Sequence, residues 1–126
     1  MARPIPSDQG FNVDEAFCPD YHEAVELIGK RWNGAILRAL LHGATRFAQI
    51  RDIIPELTDR MLATRLKELE AQGILSRTVT PATPVLIEYH LTQKGTDLEE
   101  AVTALSEWAD RWAAPSTSQT SPPRGA

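Results

Sequence analysis

The stretch TRFAQIRDIIPELTDRMLATRLKELEAQG, residues 45–73, predicts two helices joined by a turn. In its first part Phe47, Ile50 and Ile54 recur at helical spacing, so one face of a short helix is expected to be buried. Pro55 cannot continue that helix, because proline lacks a backbone N–H and clashes with the preceding turn. The stretch therefore reads as helix, turn and helix.

The second helix of this stretch is amphipathic. Thr58 offers a side-chain oxygen as its N-cap, and Gly73 is the expected stop because glycine tolerates a left-handed conformation. Its inward stripe consists of Leu62, Leu66 and Leu69. The outward side and edges carry Asp59, Arg60, Ala63, Thr64, Arg65, Lys67 and Glu68. Such a helix fits the major groove of DNA, although an ordinary amphipathic hairpin accounts for this segment equally well.

The charge of the chain is unevenly distributed. The net charge of −4 by itself argues against a nucleic-acid partner. However, residues 4–29 contain six acidic residues and no Lys or Arg, whereas residues 30–67 contain eight basic residues against three acidic ones. A molecule whose basic segment is centred on the helix pair can bind phosphates despite its overall sign.

The size and composition predict one domain with short tails. The chain has 126 residues, of which 42% are hydrophobic, enough for a single core. It contains no run of eighteen apolar residues, residues 1–10 are too polar for a signal peptide, and a single cysteine suits a reducing compartment. We therefore expect a cytoplasmic protein with no membrane partner, a flexible arm over residues 1–17, a domain over residues 18–113 and a disordered tail over residues 114–126.

Two further helices are predicted before the organising stretch. Cys18 precedes Pro19, which suits the first helical position, so Cys18 is the expected N-cap of a helix over residues 19–28. The spacing assigns its buried face to Tyr21, Ala24 or Val25, and Ile28. A second helix with apolar positions from Trp32 to Leu41 ends at His42-Gly43.

After Gly73 the pattern changes from helical to strand-like. Residues 74–80 and 85–91 are rich in β-branched and aromatic residues, and the intervening residues 81–84 contain two prolines. A β-hairpin placed directly behind a helix suited to the major groove is the layout of a winged helix-turn-helix. The fold class is therefore α+β and mostly helical.

The last helix carries an apolar stripe too broad for one small domain to cover. Thr92 is its expected N-cap, and the helix is predicted to run to about residue 113. The stripe is formed by Leu98, Val102, Leu105, Trp108, Ala109 and Trp112. Its alternating steps of four and three residues are typical of a coiled-coil seam, which predicts dimerisation. Packing of the helix on its own domain is the alternative.

From Cys18 to about Trp112, three quarters of the chain, the sequence resembles the HxlR-type winged helix regulators, which are related to the multiple-antibiotic-resistance regulators. The resemblance rests on Cys18-Pro19, Gly29-Lys30-Arg31-Trp32, Gly43, Arg46-Phe47, Ile54-Pro55, Met61-Leu62, Leu66-Lys67-Glu68-Leu69-Glu70, Gly73-Ile74, Arg77, Glu88-Tyr89, Leu91-Thr92 and Gly95, in that order. It implies a homodimeric transcription factor, more often a repressor, that pairs through terminal helices. Two recognition helices would enter adjacent major grooves of an inverted repeat in double-stranded DNA.

The resemblance also implies roles for individual residues. The base-facing positions would be Thr58, Asp59, Arg60, Ala63, Thr64 and Arg65. The two arginines suit guanine, because a guanidinium can bond O6 and N7 together. The phosphate contacts would be Lys30, Arg31, Arg46, Gln49, Lys67 and Arg77. The chain departs from the family at the wing tip, where residues 80–86 carry no basic side chain, which puts the usual wing contact in doubt.

Cys18 is the candidate sensing residue. At a helix N-terminus its sulfur lies at the positive end of the helix dipole, which favours the thiolate, although Asp20 and Glu23 oppose this effect. In several relatives this position senses electrophiles or oxidants, so the resemblance implies an oxidant or small-molecule effector. With no second cysteine, oxidation could only link two protomers, join Cys18 to a small thiol or leave an adduct. A small N-cap residue without a sensing role is the alternative.

The sequence offers little for other functions. Cys18 and His22 could form half a metal site, but no further Cys or His lies near enough in sequence to complete it. There is no glycine-rich phosphate loop, nucleophile elbow or recognisable pair of carboxylates, so we expect no enzymatic activity, no cofactor and no metal. Two alternatives stay open, namely a winged helix that binds another protein and a regulator that responds to a bound aromatic molecule.

Overall fold

In the computed structural model of the protein, residues 12–114 are described, except for the side chain of Asp14. In chain order the elements are α1 (Val13–Ala16), α2 (Pro19–Gly29), α3 (Asn33–Leu41), α4 (Phe47–Ile53), α5 (Asp59–Ala71), β1 (Leu75–Thr80), β2 (Leu86–Leu91), α6 (Gln93–Thr96) and α7 (Glu99–Trp112). Residues 12–114 are mostly helical with one antiparallel strand pair, which confirms the predicted fold class.

The core lies where α3, α4, α5 and the base of the hairpin meet. The leucine stripe of α5 is fully buried, as its spacing predicts. Its neighbours in the core are Ile36, Leu37, Ala39, Leu40, Ile50, Ile54, Leu57, Ile74 and Leu75. The helix-turn-helix formed by α4 and α5 is thus held from below by apolar packing, which leaves its outer face free.

Local capping residues set the helix boundaries as predicted. The side chain of Cys18 accepts a hydrogen bond from the backbone N–H of Tyr21, with Pro19 at the start of α2. Thr58 accepts from the backbone N–H of Met61 at the start of α5. Gly73 has φ +78°, the left-handed conformation that ends a helix at low cost for glycine.

The wing is a two-stranded antiparallel hairpin. Its register pairs Leu75 with Leu91 at the base and Thr80 with Leu86 near the tip. The backbone N–H of Tyr89 donates to the Thr45 carbonyl at 2.8 Å, which ties β2 to the residue just before α4. The wing therefore has a fixed position beside the helix-turn-helix.

The prediction of one long helix after Thr92 is wrong in one respect, because the structure divides this segment into α6 and α7. Thr92 caps only α6, by accepting from the backbone N–H of Gly95. A β-carbon on Gly95 would collide with the Ile74 carbonyl, so α6 docks closely against the chain leaving α5. The bond from Leu98 N–H to the Gly95 carbonyl then tightens the turn, and α7 begins at Glu99.

The prediction that α2 buries one face is also wrong for the single chain. None of its residues is buried, and Tyr21 and Val25 are 71% and 46% exposed. The reason is that α2 packs mainly on α3, through its C-terminal end, where Leu27 contacts the core. The outer turns of α2 thus present apolar side chains to solvent.

The exposed part of α7 has the same character. Leu98 and Val102 pack on the core of their own domain, whereas Leu105, Trp108 and Trp112 are 55%, 56% and 70% exposed. Ala109 is exposed beside them. The stripe predicted for dimerisation is therefore divided between the first turn of α7, which the protomer covers, and the remaining turns, which it does not.

Much of the predicted arm and tail lies outside the described residues. Residues 1–11 and 115–126 are not among them. The last part of the arm, predicted to be flexible, contains the helical turn α1. Within residues 12–114 no helix is long and apolar enough to cross a membrane.

Candidate nucleic-acid interface

The outer face of α5 presents a row of small and polar side chains. At a rise of about 1.5 Å per residue, a helix of this length can lie along a major groove. The exposed residues on its N-terminal half are Thr58, Asp59, Arg60, Ala63 and Thr64. All five belong to the positions predicted to face bases, and the structure brings them together on one surface.

Arg60 is the strongest candidate for reading a base. Within residues 12–114, no hydrogen bond or ion pair is formed by its guanidinium, so its five N–H donors face solvent. The Thr64 hydroxyl, one turn later, donates to the Arg60 carbonyl at 3.0 Å, which turns its hydrogen away from the groove face. Arg60 therefore carries most of the hydrogen-bonding capacity of this surface.

Asp59 is paired across the turn of the helix-turn-helix. Its carboxylate lies 3.5 Å from Nη1 of Arg51 on α4, and Arg51 also contacts the neighbouring Asp52 at 3.4 Å. Hydrogen bonding to Asp52, followed by the charge of Asp59, raises the pKa of Arg51. The guanidinium offsets the negative charge of Asp59 at a surface that phosphates would approach, a contact that sequence spacing alone did not show.

The prediction that Arg65 faces bases is contradicted by the structure. Its side chain is only 12% exposed, and Nε donates to the Arg31 carbonyl at 2.9 Å. Nη1 contacts Oε1 of Glu68 at 3.0 Å. Position 65 lies on the flank of α5 that faces the α2–α3 junction, because a helix turns 100° per residue and the leucine stripe fixes its rotation. Arg65 holds α5 in place and does not point toward the groove.

The predicted phosphate contacts differ in how free they are. Arg46, Lys67 and Arg77 are exposed, at the N-cap of α4, on α5 and on β1 respectively. Lys30 is engaged, because its Nζ lies 3.1 Å from Oε1 of Glu68. Arg31 is exposed and lies over the ring of the adjacent Trp32, 4.8 Å from its centroid.

Gln49 caps the start of α4, a structural role that the sequence analysis did not predict. Its Oε1 accepts from the backbone N–H groups of Thr45 and Arg46, both at 2.9 Å, and so caps the start of α4. A glutamine three residues after an N-cap is a recognisable capping signal. Only the amide nitrogen of Gln49 is left to meet a phosphate.

Replacing Thr58 with alanine is expected to destabilise the fold by about 1 kcal/mol, because the first turn of α5 loses its cap. Urea unfolding followed by circular dichroism measures this change. Thr58→Ser keeps the hydroxyl and should stay close to wild type. Equal stability of the alanine variant and the wild type would show that the cap contributes nothing.

Cys18 lies apart from this surface, at the start of α2. Its thiol is exposed, and its sulfur accepts from Tyr21 N at 3.4 Å. Nearby, the rings of Phe17 and His22 lie 5.4 Å apart, and His22 Nε2 is 3.9 Å from Glu26. A reagent in solution can reach the sulfur without any opening of the core.

Comparison with known proteins places this geometry in a family. Residues 27–117 match the model of the HxlR-like helix-turn-helix family. The HTH-type transcriptional regulator YodB of Bacillus subtilis (strain 168) is 46% identical over 103 residues, which span 82% of this chain and 92% of YodB. The HTH-type regulator YvaP of the same strain is 46% identical over 99 residues, 79% of this chain and 92% of YvaP.

Solved structures agree with the fold. Reduced YodB superimposes with a TM-score of 0.69 at 45% identity, covering 79% of this chain and 98% of that one. YodB has also been solved after diamide treatment and bound to a quinone. The redox regulator HypR in its oxidised form gives a TM-score of 0.71 at 37% identity, covering 78% of this chain and all of that one. With its helix-turn-helix and its wing in the same arrangement, this chain belongs to the HxlR-like helix-turn-helix family of DNA-binding transcriptional regulators.

Proposed function

We propose that the protein is a homodimeric repressor that binds an inverted repeat and releases it when Cys18 is oxidised or alkylated. The observation that carries the regulatory part is the exposed thiol of Cys18 at the N-cap of α2, in a chain whose relative YodB has been solved with a quinone bound. The DNA-reading part rests on the free outer face of α5.

The exposed face of α5 supports direct readout in the major groove. Arg60 would donate to O6 and N7 of a guanine, while Ala63 and Thr64 offer methyl groups to a thymine. The exposed cations Arg46, Lys67 and Arg77 would contact phosphates on either side and fix the register.

The uncovered apolar turns of α7 support the homodimer. Two tryptophans and a leucine more than half exposed on one helix form a surface that monomeric proteins rarely present to water. A second copy of the chain offers the same surface, so a two-fold axis through α7 would cover both. Two copies of α5 would then read half-sites about 34 Å apart, one turn of the duplex.

The chemistry at Cys18 follows from its accessibility. Its thiolate can add to the ring carbon of a quinone, forming a C–S bond while the reduced ring takes up the proton. Diamide can instead oxidise two thiols to a disulfide and become a hydrazine. Because Cys18 is the only cysteine in the chain, its disulfide partner would be the Cys18 of a second protomer or a small thiol.

Cys18→Ser is expected to bind DNA like the reduced wild type but to lose its response to diamide and to benzoquinone. Serine keeps the N-cap of α2 and removes the thiol. An operator selected from random duplexes with the reduced protein serves as the probe, and fluorescence anisotropy measures affinity with and without each reagent.

The absence of a second cysteine makes this test selective. After treatment with benzoquinone, mass spectrometry should show a single quinone adduct on the wild type and none on the Cys18→Ser variant. A serine variant that still releases DNA in the presence of quinone would contradict thiol sensing and indicate a molecule bound without a covalent bond.

A further inference from the structure

Helix α2 is attached to the rest of the protomer almost entirely at its C-terminal end. No residue of α2 is buried, so the core does not fix its direction. Its last turn is held by Leu27, which packs partly buried against the core, and by polar contacts. The buried side chain of Asn33, 2% exposed, donates from Nδ2 to the Leu27 carbonyl at 2.9 Å. This bond links the end of α2 to the start of α3.

A second set of contacts links the same end of α2 to α5. Lys30 Nζ lies 3.1 Å from Glu68 Oε1, and Arg65 Nη1 lies 3.0 Å from the same oxygen. Arg65 Nε donates to the Arg31 carbonyl at 2.9 Å. We call these four residues the strap. Lys30, at the end of α2, and Arg65, on α5, thus contact the same carboxylate oxygen, so Glu68 connects the two helices.

The strap lies beside the DNA-reading surface but is not part of it. Glu68 and Arg65 are three residues apart on the flank of α5, whereas Arg60 and Thr64 lie on its outer face. Hydrogen bonding from Lys30 lowers the pKa of Glu68 below its usual value, which means that the contact favours the charged carboxylate. Because the hydrogen-bonded backbone of α5 moves as one unit, a displacement of Arg65 and Glu68 also displaces the outer face of α5.

We propose that Glu68 is a positioning residue that transmits displacement of α2 to α5, and thereby sets DNA affinity without touching DNA. This inference rests on the proposed function, because α2 carries Cys18 at its other end. A modification that tilts α2 moves Lys30 and Arg31, and the strap carries that movement to α5. Apolar packing of α2 is limited to its C-terminal end, where Leu27 contacts the core, so the polar contacts of the strap are the direct link from α2 to α5.

The test uses the Glu68→Gln variant of the full chain, which keeps the shape of the side chain and removes its charge. In the reduced state we expect its affinity for the selected operator to fall about 5-fold, because α5 is less firmly placed. We also expect diamide to change that affinity much less than it changes the affinity of the wild type. Lys30→Gln should reproduce both effects, and the double variant should add little to either single one.

Controls separate coupling from stability and from loss of charge. Glu70→Gln removes the same charge from an exposed position on α5 and should behave like the wild type. Lys30→Arg keeps a cation at the strap and should preserve the response. Thermal melts should show that Glu68→Gln remains folded, since glutamine can still accept hydrogen bonds from Lys30 and Arg65, and the Lys30–Glu68 pair is solvent-accessible.

The two proposals fail in different ways. If the wild type keeps its operator affinity in diamide, the thiol-sensing proposal is wrong, and with it the coupling that depends on it. If the wild type releases DNA and Glu68→Gln releases it to the same extent, the strap does not transmit the signal, while sensing at Cys18 stands. A diminished response in both strap variants, with an unchanged response in Glu70→Gln, supports the inference.

Discussion

Trp108→Asp is expected to convert the protein into a monomer and to weaken binding to an inverted repeat by about 100-fold, because simultaneous binding of two linked half-sites is lost. Trp108 is 56% exposed on α7, between Leu105 and Trp112, which are also exposed. A carboxylate placed in the middle of a paired apolar surface would be buried without a partner, and that cost would separate the two copies. Size-exclusion chromatography with light scattering gives the mass, and anisotropy gives the affinity.

Thr103→Asp is the matched control. It places the same charge on an exposed position of α7 that is turned away from the tryptophans. It should remain dimeric and bind the operator as the wild type does. A dimeric Trp108→Asp protein would show that α7 is not the paired surface, and the exposed face of α2 would become the next region to test.

Arg60→Ala is expected to weaken specific binding by about 1–3 kcal/mol, a factor of about 5 to 150, and to relax the base preference at one position of each half-site. The reason is geometric, since Arg60 is the guanidinium on the outer face of α5 that no other described residue engages. A panel of operators, each substituted at one base pair, shows which position loses its preference.

Lys67→Ala gives the contrasting pattern. Lys67 is exposed farther along α5 and is proposed to contact a phosphate. Removing its charge should weaken binding to all DNA sequences by the same factor. It should also reduce the slope of the logarithm of the binding constant against the logarithm of salt concentration by about one. If Arg60→Ala also weakened every operator equally, Arg60 would be a phosphate contact and not a base contact.

Predictions from the sequence were correct where a residue interacts with residues three or four positions away in the chain. Cys18 with Pro19, Thr58 and Gly73 set helix boundaries through bonds that span three or four residues, so their spacing was sufficient. The leucine stripe of α5 was equally readable, because helical periodicity determines which side is buried.

Such predictions failed where residues distant in the chain meet. The family resemblance implied that Arg65 faces the bases, yet its Nε donates to the carbonyl of Arg31, 34 residues earlier. Lys30 and Glu68 form a pair of the same kind. The boundary between α6 and α7 depends on the close approach of Gly95 to Ile74, which periodicity cannot show.

The protomer completes its core without help from the outer turns of α2 and α7. In the proposed homodimer, folding and subunit recognition are therefore governed by separate sets of side chains. A bacterium that carries several regulators of this kind can alter the apolar residues on these two helices without unfolding the module that reads DNA. Divergence there would keep each regulator from forming mixed subunit pairs with its paralogues.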